Sequence, residues 1–165
     1  DVRKVTILQS AEDSENTISS VESSLAEVLA ETDIVLDTKT ITGSGAFSIE
    51  EKIQEYVMSE NAPDILICMN TVTAIGAYHV VVDCNIVGDV QLLVNYATGE
   101  ILDAIEKGGI FASVSLDAQR LGSSCIQCLD DLVCDGKTNN YRSIPLKVIT
   151  IDTVEDYRST LEGAQ

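Results

Sequence analysis

The chain has 165 residues, one domain's worth of sequence and enough to bury a core. Acidic residues outnumber basic ones 27 to 10, a net charge of −17 with no cluster of Lys or Arg, which argues against nucleic acid bound by this segment and against docking on an anionic membrane surface. Although 45% of the residues are hydrophobic, no apolar run approaches the roughly 20 residues of a membrane span, and the acidity reads as a solvated, self-repelling surface.

Strand and helix patterns alternate along the chain. Val5-Thr6-Ile7-Leu8 reads as a short buried strand, and Ile18, Val21, Leu25, Val28 and Leu29 then recur at helical spacing. The opening DVRKVTILQS is thus a strand and not a signal peptide, so a mature or trimmed soluble piece is expected. Asp33 to Ile41 reads as a second strand, followed by a Gly43-Ser44-Gly45 turn. Ser48 and Glu51 form a capping box for a helix that presents Ile49, Ile53, Tyr56 and Val57 on one face and stops before Pro63. Ile65 to Met69 is apolar on both faces, as a central parallel strand should be.

Val72, Ile75, Tyr78, His79 and Val82 mark the next helical face. Val90 to Val94 is the fourth strand, and Ile101, Leu102 and Ile105 stripe its helix as far as Gly108-Gly109. Ile110 to Val114 is the fifth strand. Asp117 is a candidate cap for a helix carrying Ala118, Leu121, Cys125, Cys128, Leu129 and Leu132. After a polar loop from Asp135 to Ser143, Pro145 introduces a last strand, Leu146 to Ile151. Six strands and five helices in alternation predict a single α/β domain over residues 1–165: a three-layer open parallel sheet with helices on both faces, in flavodoxin-like order.

Candidates for chemistry are few. The five cysteines, Cys68, Cys84, Cys125, Cys128 and Cys134, are odd in number and irregular in spacing, a poor disulfide framework. Cys125 and Cys128 spell CxxC in mid-helix, away from the helix start that would activate a thiol, so all five read as packing residues. The single histidine, His79, sits in mid-helix and reads as packed or partly exposed. No Gly-x-Ser-x-Gly elbow and no glycine-rich phosphate loop after the first strand are present. No catalytic residue, metal site or cofactor is therefore expected, and the protein is read as no enzyme.

What remains is a row of polar strand ends. In an open α/β sheet, ligands bind outside the carboxyl ends of the strands. Asn70, Asn95-Tyr96 and Ser115-Leu116-Asp117 end three strands, and Gln9-Ser10 end the first. Asn70 is equally a helix cap or a ligand contact. Tyr96 offers a ring face and a hydroxyl to a ligand, or packs on the loop at Thr98. Gln9 and Ser10 either reach the same rim or are loop polarity. Glu12, Asp13 and Glu15 nearby disfavour an anionic ligand despite the helix N-termini on this edge.

Three stretches carry a resemblance. PDILICMNTVTAIGA looks like P-D-A-I-F-C-x-N-D-x-x-A-x-G-A, and GDVQLLVNYATGEILDAIEKGGIFASVSLDAQRLG looks like V-x-V-V-G-F-D-x-x-x-x-x-L-x-A-I-x-x-G-x-I-x-A-T-V-x-Q-x-x-x-x-x-G. PLKVITIDTVEDY is similar to a closing V-K-V-I-T-x-x-N-V. On these motifs the chain resembles the type I periplasmic-binding-protein superfamily, which includes ribose-binding-like solute receptors and the effector domains of lactose-repressor-type regulators. The likeness covers residues 1–157, the first fifty only by their order of elements.

The resemblance implies the second of two lobes that close over a ligand, with chain crossings before Asp1 and near Leu116. The helix over residues 118–134 would then belong to the first lobe, and self-association of the isolated lobe is expected because that helix's apolar face needs a partner. The resemblance also implies ligand contacts at Asn70, Thr71, Asn95, Tyr96, Gln9, Ser10, Leu116 and Asp117. Asn70 matches the family's ligand-binding Asn, but Thr71 stands for the Asp that follows it, Tyr96 for the Asp of G-F-D, and Leu116 for the Gln near the second crossing. Groups that hold a polyol have gone and an aromatic has appeared, which argues against a simple monosaccharide and for a ring-bearing or less polar ligand, so the expected solute is sugar-like or ring-bearing. The implied role is an extracytoplasmic solute-binding protein, periplasmic or anchored at the cell surface, serving a membrane transporter or sensor. The alternative is the effector-binding domain of a cytoplasmic regulator.

Overall fold

The computed structural model describes residues 2–43, 45–139 and 141–162. Ser44 of the expected Gly-Ser-Gly turn and Asn140 of the polar loop lie outside them. The elements run β1 (Lys4–Ser10), α1 (Glu15–Leu29), β2 (Val35–Ile41), α2 (Ala46–Val57), β3 (Ile65–Cys68), α3 (Thr71–Asp83), β4 (Gln91–Asn95), α4 (Gly99–Glu106), β5 (Ala112–Leu116), α5 (Ala118–Asp135), β6 (Leu146–Thr150) and α6 (Val154–Glu162). They build one six-stranded sheet in the order β2-β1-β3-β4-β5-β6.

The first five strands are parallel, so their carboxyl ends share one rim. The chain steps from β1 to β2 in one direction and from β2 to β3 in the other. Right-handed crossovers therefore place α1 on one face and α2, α3 and α4 on the opposite one, where α2 packs on α3 and α3 on α4. The core lies beneath these three helices: Leu66, Cys68 and Leu92 are fully buried, and Val94 is nearly so, facing Ile53, Ala77, Ile101 and Ile105. At the opposite rim Asp64 anchors the sheet, accepting the Arg3 and Lys4 amides at 2.7 and 2.8 Å. Those two N–H groups hold its carboxyl below the usual range.

The structure corrects several expectations. The last strand is antiparallel to β5, pairing Leu116 with Leu146. A parallel strand would need α5 to pack back across the sheet; instead α5 buries no residue. The following segment returns along it to the carboxyl rim, where Arg142 donates to Gln127 Oε1 at 2.9 Å. A sixth helix, α6, follows β6, tied to α4 by Arg158, which bonds Glu106 at 2.6 Å and also Asp103. Helix α2 starts at Ala46 with Gly45 as its N-cap, so Ser48 lies inside the helix and forms no capping box. Strand β5 runs two residues later than predicted.

Helix α3 is turned from its expected face. Thr73, Ala74, Gly76, Ala77, Val80 and Val81 are buried, while Val72 and Val82 are exposed. Apolar residues encircle this helix, so hydropathy alone does not choose its face. The face carrying the small side chains is the one that packs on α2, with Ile49, Glu50 and Ile53 beside Gly76. His79 is half exposed, its Nδ1 2.8 Å from Glu50 and its Nε2 3.6 Å from Glu100. Cys68 packs as expected, and burial pushes its thiol up to about 12. Cys125 and Cys134 are exposed instead, because α5 buries no residue.

Candidate functional site

The parallel strands bring Ser10, Asn70, Asn95, Tyr96, Leu116 and Asp117 to one rim, as the alternation predicts. Between β1 and β3 the direction of strand addition reverses, and that switch point is where an open α/β sheet leaves a crevice. A concavity of about 610 Å³ lies there, lined by Ser10, Asp13, Thr42, Gly43, Ile49 and Asn70 among others. A larger groove of about 880 Å³ runs along β2 beside Lys39, Lys52 and Tyr56. That groove runs along the edge strand from Asp37 to Thr42 and reaches the end of β2 alone, touching no other parallel strand at its carboxyl end, so the switch-point crevice is the better candidate.

Asn70 is fully engaged. Its Oδ1 accepts the Thr73 amide at 2.9 Å, which caps α3. Its Nδ2 donates to Asp13 Oδ2 at 2.7 Å and to Ser10 Oγ at 3.2 Å. Asp13 Oδ2 also accepts the Ser10 amide at 2.7 Å. One carboxylate oxygen therefore gathers the end of β1 and the start of α3. Asp13 is the organising residue that sequence reasoning missed as such. Its signal was the Ser-Ala-Glu-Asp order after a strand, in which an Asp three residues on reaches back to a free amide.

The other candidates occupy different parts of the rim. Gln9 turns away and donates to Thr40 Oγ1 at 2.8 Å on β2. Thr71 is the first, half-buried residue of α3. Asn95 Oδ1 accepts the Tyr96 amide at 3.1 Å. Tyr96 has a φ of 80° and is 52% exposed at the end of β4. Leu116 is half exposed, whereas Asp117 is buried. Asp117 caps α5 through the Arg120 amide at 3.0 Å and pairs with Lys147 at 3.2 Å. The Arg120 amide first, and Lys147 with it, hold its carboxyl below the usual range. Asn95, Tyr96, Leu116 and Asp117 lie outside the switch-point concavity. Among the described residues, no group of three or more His, Cys, Asp or Glu is placed to hold a metal ion.

The fold is that of one lobe of the type I periplasmic-binding-protein architecture. No protein-family model matches the sequence, and no curated protein sequence matches it; the likeness is to solved structures. A structure described as a periplasmic ribose ABC transporter from Conexibacter woesei DSM 14684 superposes with a TM-score of 0.80 at 19% identity, over 96% of this chain and 54% of that one. An ABC transporter periplasmic solute binding protein from Actinobacillus succinogenes 130z, with bound D-allose, gives 0.77 at 12% identity, over 94% and 56%. The XylFII–LytSN complex gives 0.70 at 19% identity, over 91% and 53%. The chain spans little more than half the length of each.

Proposed function

We propose that this chain is the second lobe of an extracytoplasmic solute-binding protein that holds a sugar-like or ring-bearing molecule between two lobes and performs no chemistry on it. The observation that carries this reading is the shared rim: four of the five parallel strands deliver Ser10, Asn70, Asn95, Tyr96, Leu116 and Asp117 to one edge. Binding would shift the protein toward its closed form, and a membrane transporter or sensor would read that shift. Supporting it, solved neighbours are described as solute-binding proteins, one with D-allose bound, and another forms a complex with a second protein, LytSN.

Helix α5 belongs, on this reading, to the first lobe. Its apolar residues Leu121, Ile126, Leu129 and Leu132 are all exposed on this lobe, a stripe that needs covering. Expressed alone, the lobe would self-associate through it. A thermal-shift panel of monosaccharides, nucleosides and amino acids on the complete two-lobed protein tests the function. A solute at about a hundred times its Kd stabilises by about 2.7 kcal/mol, a clear rise in Tm. A panel that moves nothing would count against solute binding.

A further inference from the structure

Tyr96 occupies a backbone conformation that bulky L residues rarely adopt, with its φ at 80°. Glycine would sit there without steric cost. Three hydrogen bonds hold the tyrosine in place. Its N–H reaches Asn95 Oδ1 at 3.1 Å and Val114 O at 3.3 Å, and its C=O accepts from Ser113 Oγ. Ser113 is fully buried in β5, in register with Val94 on the apolar side of the sheet. A hydroxyl there is costly without a partner, and the Tyr96 carbonyl is that partner. The outcome is a half-exposed ring at the end of β4 whose backbone is fixed from below.

We infer that Tyr96 reads the flat face of a ring in the bound solute, and that Ser113 is the positioning residue that holds Tyr96 ready. This rests on the proposed binding function. Strained residues persist where the surroundings over-determine them, and they gather at ligand sites; a preset contact spares the ordering cost on binding. Asn95 thereby takes a different role from the one the sequence predicts. Its side chain locks the Tyr96 amide, leaving the ring as the contact.

The test titrates the complete protein with D-allose and adenosine as cyclic probes and mannitol as the acyclic one. At least one cyclic probe is expected to bind, and more tightly than mannitol. Tyr96→Ala should weaken that probe about tenfold, as loss of an aromatic contact does, and Tyr96→Phe should retain it. Ser113→Ala should weaken it severalfold and narrow the cyclic-to-acyclic ratio, and Ser113→Thr, which keeps the hydroxyl, should restore both. A merely structural serine would lower Tm and leave that ratio unchanged. A cyclic probe that binds equally well to Ser113→Ala and wild type overturns the positioning role and leaves the binding function standing. One that ignores Tyr96→Ala overturns the ring contact. Mannitol bound as tightly as either cyclic probe overturns the ring class, and no response to any of the three overturns the inference together with the binding reading beneath it.

Discussion

Asn70 Nδ2 lies 2.7 Å from Asp13 Oδ2, and that one contact joins the β1–α1 loop to the start of α3. The same asparagine caps α3 through Thr73, the first of the two roles that the sequence leaves open for it. Asn70→Ala should destabilise the protein by about 1 kcal/mol, the usual cost of a lost cap. Asn70→Asp keeps the capping oxygen but sets a second carboxylate against Asp13. Its deficit in a urea melt should shrink as salt is raised, because screening weakens that repulsion.

Gly109 faces the ring of Tyr78 so closely that a Cβ would fall 2.3 Å from Tyr78 Cε2. Gly109→Ala should destabilise by about 1–3 kcal/mol, the range for overpacking. Adding Tyr78→Leu should recover part of that loss, which thermal melts of the single and double variants will read.

The two faces of the sheet should answer truncation differently. Leu66 is fully buried, whereas Val148 is 60% exposed on the α1 side. Leu66→Ala should cost about 2–5 kcal/mol, and Val148→Ala should stay within about 0.5 kcal/mol. Equal losses in denaturant melts would mean that the open face is covered.

Two carboxylates set the acid limb. Asp64 and Asp117 both have their folded values lowered, by the Arg3 and Lys4 amides and by the Arg120 amide with Lys147. Their stabilisation is complete above the unfolded carboxylate value of about 3.9 and is lost as pH falls through the lower folded values. Asp64→Asn and Asp117→Asn should each lower Tm at pH 7 and flatten its decline below about pH 4. Parallel curves for variant and wild type would contradict this.

Most of the fold was legible because alternating apolar runs and capping signals name their elements directly. Asp117 was read as a cap and is one. What failed were relations the local pattern does not encode. The direction of β6 depends on whether α5 packs against the sheet, and the face of α3 depends on small residues within an apolar helix. Helix α6 buries little beyond Val154 and is held by ion pairs, so hydropathy passed over it; Glu155 and Asp156 in its first turn were the available signal. The rim was legible from strand ends, but the Asn70–Asp13 bond and the φ of Tyr96 arise only when separate loops meet.

Hydrogen exchange on the complete protein, with and without a solute selected by the thermal-shift panel, tests most directly whether this rim is half of a ligand cleft. The account predicts that added protection within this lobe falls at Ser10–Asp13, Asn70–Thr73, Asn95–Thr98 and Leu116–Arg120, all at the carboxyl ends of the strands. Protection concentrated instead at the opposite rim, around Asn61–Asp64 and Lys107–Phe111, would contradict it.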